Sequence, residues 1–180
     1  MRSLLSAAAL VALAAPALAQ SNPMVGGAEM PATNDIVTNA MNSADHTTLV
    51  AAVGAAGLVE TLRSPGPFTV FAPTNDAFAA LPAGTVDTLL LPENKGMLSK
   101  VLTCHVVGDE LFSSEIADLL ASGGVARITT VGGCVVDARL AGDGVELTDE
   151  TGGTAMLTIA DVDQSNGVIH VIDGVLLPAS

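Results

Sequence analysis

Few residues in this chain have the means to do chemistry. There are three histidines, His46, His105 and His170, and two cysteines, Cys104 and Cys134. A polar triplet, Thr74-Asn75-Asp76, follows an apolar run, and an acidic stretch spans Asp161-Val162-Asp163-Gln164-Ser165-Asn166-Gly167. A Ser-His-Asp hydrolase needs its serine on a strained turn beside an oxyanion hole, and no G-x-S-x-G is present. A zinc site needs a set of nitrogen or sulfur ligands, and neither H-x-x-x-H nor H-E-x-x-H occurs. A calcium loop starting at Asp161 needs glycine at its sixth place and glutamate at its twelfth, where the chain has Asn166 and Ile172. Asp143, Glu146, Asp149 and Glu150 offer at most a weak cation site, against the simpler reading of a solvated acidic turn. Gly132-Gly133 lacks the lysine and following helix of a phosphate loop. His105 and His170 sit in apolar runs, where a buried ring with satisfied hydrogen bonds is the common outcome. For His105 the rival reading is a catalytic base. His46 falls at a helix start and is expected to be exposed. No catalytic residue, metal ligand or cofactor is assigned, and the expectation is a non-enzymatic protein.

The cysteines are read through the chain's address. Arg2, the apolar run Leu4 to Ala15 and Ala17-Leu18-Ala19 form an export signal, residues 1–19, with cleavage expected after Ala19. In an oxidising compartment two cysteines pair more often than they stay free. A Cys104–Cys134 disulfide is therefore expected, with a metal pair or a reactive thiol as its rivals. Without Arg2 the chain keeps 6 − 1 = 5 basic side chains against 19 acidic ones, a balance of −14. Such a charge repels nucleic acid and anionic membrane, because phosphate binding needs clustered Lys and Arg. There is no Trp or Tyr to stack on bases or sugars. The expected address is periplasmic or extracellular, with no membrane insertion once the signal is removed.

The elements that must position these residues follow from periodicity and punctuation. Residues 20–32 are small and polar and are expected to be a flexible segment. Thr33 or Asn34 can cap a helix carrying Ile36, Val37, Ala40 and Met41. A second helix starts near Asp45, with Leu49, Val50, Val53 and Ala56 on one face and Gly57 at its end. Leu58, Val59 and Leu62 make a short turn of helix before Ser64-Pro65-Gly66-Pro67. Thr69 to Ala72 is a strand that Pro73 ends. Thr74 and Asn75 then offer caps for a helix through Leu81, with Asp76 in its first turn. A further helix carries Met97, Leu98, Val101 and Leu102, and Cys104-His105-Val106-Val107 is a candidate strand. Ser113 or Ser114 caps another helix, with Ile116, Leu119 and Leu120 inward. Beyond it the chain reads as strands: 126–131 and 134–140 about Gly132-Gly133, then 145–148, 155–162 and 168–177. The last is apolar on both faces, as a doubly buried strand would be. Helices first and strands last argue an α+β domain.

Two stretches carry a family resemblance. Thr69 to Phe78, TVFAPTNDAF, resembles the first signature of fasciclin-type domains, and Asn166 to Pro178, NGVIHVIDGVLLP, resembles the second. Cys104 stands where the family's middle motif has tyrosine before histidine. The resemblance implies a fasciclin-type domain over residues 33–178: a wedge or sandwich of about seven strands with several helices packed on one side. It also implies an adhesion or protein–protein interaction role with a cell-surface or extracellular partner. An apolar, lipid-like ligand held between helices and sheet is the alternative, and a hydrolase a distant third. Thr74, Asn75, Asp76 and His105 carry over as motif residues. Their expected role is structural, with the His105 ring bonded to the Thr74–Asp76 corner.

Overall fold

The computed structural model describes residues 22–179, so the expected export signal, residues 1–19, lies outside the described residues. The chain opens with a two-stranded hairpin, β1 (Met24–Val25) and β2 (Ala28–Glu29). Its two-residue turn, Gly26-Gly27, has positive φ at both positions, the conformation a tight hairpin needs and glycine supplies. Val25 and Met30 are buried. The segment expected to be flexible is thus folded from Met24 onward, because two apolar side chains anchor it and Gly26 O accepts the Ala44 N–H.

Four helical pieces follow: α1 (Ile36–Asn42), a 3₁₀ turn Ala44–His46, α2 (Thr47–Ala56) and α3 (Val59–Arg63). Asp35 caps α1 through the Thr38 N–H, rather than Thr33 or Asn34. Gly57 ends α2 in the left-handed conformation. Then come β3 (Phe68–Pro73), α4 (Asn75–Ala79), α5 (Thr85–Leu89) and α6 (Lys95–Thr103). The candidate strand after α6 is shortened to β4 (Val106–Val107), because Cys104 and His105 still bond back into the last turn of α6. α7 (Ser113–Gly123) precedes five strands: β5 (Ala126–Thr129), β6 (Val135–Ala141), β7 (Gly144–Thr148), β8 (Thr154–Gln164) and β9 (Gly167–Ile172). Gly132-Gly133 lies in a five-residue connection from Thr130 to Cys134, not a two-residue turn. Leu119, expected inward, is exposed, and so is Met97 of α6.

One seven-stranded sheet runs in the order β4-β3-β9-β8-β7-β6-β5. The last strand lies parallel to β3 and antiparallel to β8, and all six of its residues are buried. Its neighbours on both edges and apolar cover on both faces account for its largely apolar character, which only His170 interrupts. Alternation along β3 divides the core in two. Val70 and Ala72 face a cluster built with α1, α2, α3 and α6. Phe71 faces the opposite cluster, with Ile116 and Leu120 of α7 and the inner residues of β5 to β8. The two ends of the sheet nearly meet. Val131 N–H donates to Val106 O at 2.7 Å and Gly132 N–H to Thr103 O at 3.0 Å. The Cys104–Cys134 disulfide crosses this same seam, with Cα atoms 5.3 Å apart. The chain is α+β, a nearly closed sheet with helices packed on it.

Candidate functional site: an apolar cavity and its polar anchors

Between the helices and the sheet lies an apolar cavity of about 270 Å³. Ile36, Val37, Ala40 and Met41 of α1 line it, with Leu49, Val50, Val53 and Gly54 of α2. Leu58, Val59, Leu62 and Arg63 form a third wall, and Val70, Ala72, Leu102, His105, Val106 and Ile169 the floor. Most of these lie on the inner faces that periodicity picks out, though Met41, Gly54 and Arg63 are exposed. The space left between them matches the alternative expectation of a pocket between helices and sheet, although no residue pattern placed it.

The polar motif residues hold the walls. Thr74 Oγ1 accepts the Ala77 N–H at 3.3 Å and caps α4. Asn75 works outside its own helix. Its Oδ1 accepts the Thr48 N–H at 3.0 Å and the Thr47 hydroxyl at 3.2 Å, and its Nδ2 donates to Ala44 O at 2.9 Å. One side chain thereby satisfies backbone groups that the start of α2 leaves free. Asp76 is exposed. His105 does not meet this corner. Its Nδ1 lies 2.8 Å from Val101 O and its Nε2 accepts the Leu176 N–H at 2.9 Å. The reason is position: His105 closes the last turn of α6, which aims its ring at the C-terminal segment, away from Thr74. The ring is buried, as a core residue's would be, and lines the cavity.

Asn166, which opens the second signature stretch, is a further anchor. Its Oδ1 accepts the Ile36 N–H at 3.1 Å, and its Nδ2 donates to Leu62 O at 2.7 Å and Ser64 O at 2.9 Å. It joins the start of α1 to the end of α3, two walls of the cavity. Asn39 and Gln164 are similarly joined side chain to side chain in the buried interior. The Asn-Gly pair signals a turn and conceals the reach of the asparagine amide.

Most of the remaining chemical candidates are engaged in structural hydrogen bonds, while among the described residues His46 Nε2 is buried without a partner. Burial holds all three imidazoles below their ordinary value. For His105 burial outweighs the opposing pull of Val101 O and Asp149, and the value falls to about 4. His170 Nε2 lies 2.6 Å from Leu111 O, its Nδ1 accepts the Asp161 N–H at 3.2 Å, and its ring stacks on Phe71. Both nitrogens of His105 and of His170 are therefore occupied by backbone. Ser113 donates to the Asp161 carboxylate through its N–H and its hydroxyl, which caps α7 from a distant strand. The His170 ring meets the Asp161 backbone and not Ser113, so serine, histidine and aspartate form no relay. His46 was expected to be exposed and is buried, with Nδ1 2.8 Å from Ser43 Oγ. Asp149 accepts the N–H groups of Thr151, Gly153 and Leu177, and Glu150 those of Val135 and Ala179. Among the described residues no group of three or more His, Cys, Asp or Glu could hold a metal ion.

Residues 44–178 match the Fasciclin domain family model. The chain belongs to the fasciclin domain family. It is 46% identical over 172 residues to Protein sll1483 of Synechocystis sp., covering 93% of this chain and 87% of that protein. It is 32% identical over 190 residues to Immunogenic protein MPB70 of Mycobacterium bovis, covering 96% and 90%. To transforming growth factor-beta-induced protein ig-h3 of Sus scrofa it is 41% identical over 137 residues, covering 72% of this chain and 17% of that much longer one. Among solved structures, the FAS1 domain pair from the insect cell adhesion molecule Fasciclin I matches with a TM-score of 0.57 at 23% identity. That match covers 72% of this chain and 43% of the pair, and the likeness is one of fold.

Proposed function

We propose that this fasciclin-type domain is an exported, non-enzymatic interaction module that engages a cell-surface or extracellular protein. Membership of a family whose fold also builds an insect cell adhesion molecule carries this reading. Two features of the site support it. The histidine rings with both nitrogens occupied have no lone pair to offer a substrate. A disulfide fits an oxidising compartment. The test is capture by the mature domain on intact cells, with a crosslinker and a denatured domain as control. A saturable surface protein bound by the folded domain alone supports the proposal, and equal capture by both forms refutes it.

The cavity supports a second reading, binding of a small apolar ligand between helices and sheet. Ligand pockets begin at about 300 Å³, and an apolar cavity of ~150 Å³ already admits benzene. Mass spectrometry of the purified, undenatured protein tests it: a stoichiometric apolar compound is expected, and an empty protein that also binds none on addition refutes it.

A further inference from the structure

Among the described residues, the apolar cavity has a single charged side chain in its lining, Arg63. Arg63 closes α3 and is exposed, beside the exposed Met41 of α1. Its Nη2 has a weak contact with Met41 Sδ at 4.0 Å. Among the described residues the ion pair is Arg127 with Asp137, and Arg63 has no carboxylate within salt-bridge distance. A guanidinium carries five N–H donors in a planar fork that matches a carboxylate. This cation stands at the edge of an apolar cavity, in a chain whose formal net charge is −13. The Arg63 charge acts on Asp35. Its carboxyl lies below the ordinary value: burial pushes it up, but hydrogen bonds from Thr38 and the Arg63 charge prevail. Asp35 is already committed to Thr38, through both the N–H and the hydroxyl, each at 2.9 Å.

We propose that the cavity takes the alkyl chain of a single-chain monocarboxylic acid, with the carboxylate at its mouth on the Arg63 guanidinium. This rests on the second reading above, that the cavity binds an apolar ligand, and names the chemical class. The volume is suited to one short chain, since it lies just under the ~300 Å³ where drug-sized pockets begin. The head group carries one negative charge, because one cation faces it and the surrounding protein is acidic. Burial of the chain supplies most of the affinity, at roughly 25 cal/mol per Å² of apolar surface. The arginine selects the acid over its uncharged analogue by a charge-assisted, bidentate contact.

Decanoic acid and 1-decanol are the probes, titrated calorimetrically into the mature protein well below their aggregation limits. Three variants accompany the wild type: Arg63→Gln, which is exposed and leaves the core intact, and Val50→Phe and Leu58→Phe, each of which fills the cavity from a half-buried wall position. Circular dichroism confirms their fold. The wild type is expected to bind both probes, the acid more tightly. Arg63→Gln should weaken decanoate by about tenfold or more and leave decanol within about twofold. A folded cavity-filling variant should lose both. Unchanged decanoate binding in Arg63→Gln overturns the carboxylate assignment while leaving the apolar cavity reading intact. Failure of both probes to bind the wild type, or equal binding by the folded cavity-filling variants, overturns that reading and the inference with it.

Discussion

The Nε2 of His105 accepts the N–H of Leu176 at 2.9 Å, across 71 positions of sequence. An acceptor at Nε2 requires the proton on Nδ1, which donates to Val101 O at 2.8 Å. Both ring nitrogens are spoken for in one neutral tautomer, and protonation would set two N–H groups against each other.

That arrangement fixes a pH dependence. The folded ring titrates at about 4, held down mainly by burial, while an unfolded histidine titrates near ~6.5. Above about pH 6.5 the ring is neutral in both states and its contribution to stability is intact. As pH falls toward 4 the unfolded chain binds a proton that the fold refuses, and stability is lost by roughly 3 kcal/mol across the window. Burial lowers His46 and His170 too, so they act with the same sign. Urea midpoints should fall between pH 7.5 and 4.5. Ring-proton NMR should show His105 untitrated above about pH 5, and a normal histidine titration in the folded protein would contradict this account.

Replacing Asn166 should cost more than its place in a turn suggests. Alanine removes two donated bonds, to Leu62 O and Ser64 O, and one accepted from Ile36 N–H. Three part-buried backbone groups lose their partner, at an expected cost on the order of 2–4 kcal/mol. Asn166→Asp keeps the acceptor but turns a negative oxygen toward two carbonyls, and should destabilise at least as much above pH 6. Urea unfolding of both variants measures this, and a loss below about 0.5 kcal/mol in each would show that water replaces the amide.

What the sequence made legible was what local chemistry decides. Pro73 ends a strand, Thr74 begins a helix and Gly57 stops one, each through a property of a single residue and its neighbours. The double burial of β9 showed in its two largely apolar faces. Long-range events did not show. His46 opens a helix, ordinarily an exposed place, but lies under the N-terminal segment against the core, near Val25 and Met30. Asn166 reads as half of an Asn-Gly turn until Ile36 is brought beside it from 130 positions away. A pocket between helices and sheet is expected only as the alternative reading, and no residue pattern marks it, because inward-facing Val, Leu and Ile have the same period whether they touch or leave a gap. Arg63 gained meaning only when that gap placed it on a rim.

Breaking the disulfide should open the seam between the two ends of the sheet. Cys104 and Cys134 are 30 positions apart, and a loop of that size contributes about 3–4 kcal/mol by constraining the unfolded chain. Thiol titration of the denatured, unreduced protein is expected to find no free thiol. Cys104→Ala with Cys134→Ala should lower the urea midpoint, and hydrogen exchange at Val131 and Gly132, whose N–H groups bridge to Val106 and Thr103, should accelerate first. An unchanged midpoint would mean that the backbone bonds hold the seam unaided.

The polar corner separates into residues of unequal weight. Asn75 supplies three bonds to Ala44, Thr47 and Thr48, tying the corner to the start of the helix that walls the cavity. Asn75→Ala removes them and leaves the Thr48 N–H at a helix start without its acceptor. Capping asparagines lost to alanine cost ~0.5–2 kcal/mol, and the two further bonds place this one toward the upper end. Asp76 is exposed and can act only through its charge near the first turn of a five-residue helix. Asp76→Ala should therefore change stability by no more than about 0.5 kcal/mol, and added salt should shrink even that. Because Asn75 holds α2, its loss should also loosen that helix while leaving α4 capped by Thr74. Hydrogen exchange resolved by residue would show faster exchange at Thr48 and Leu49 and unchanged exchange at Ala77. Equal effects of the two substitutions, or loosening confined to α4, would mean that the corner serves its own helix alone.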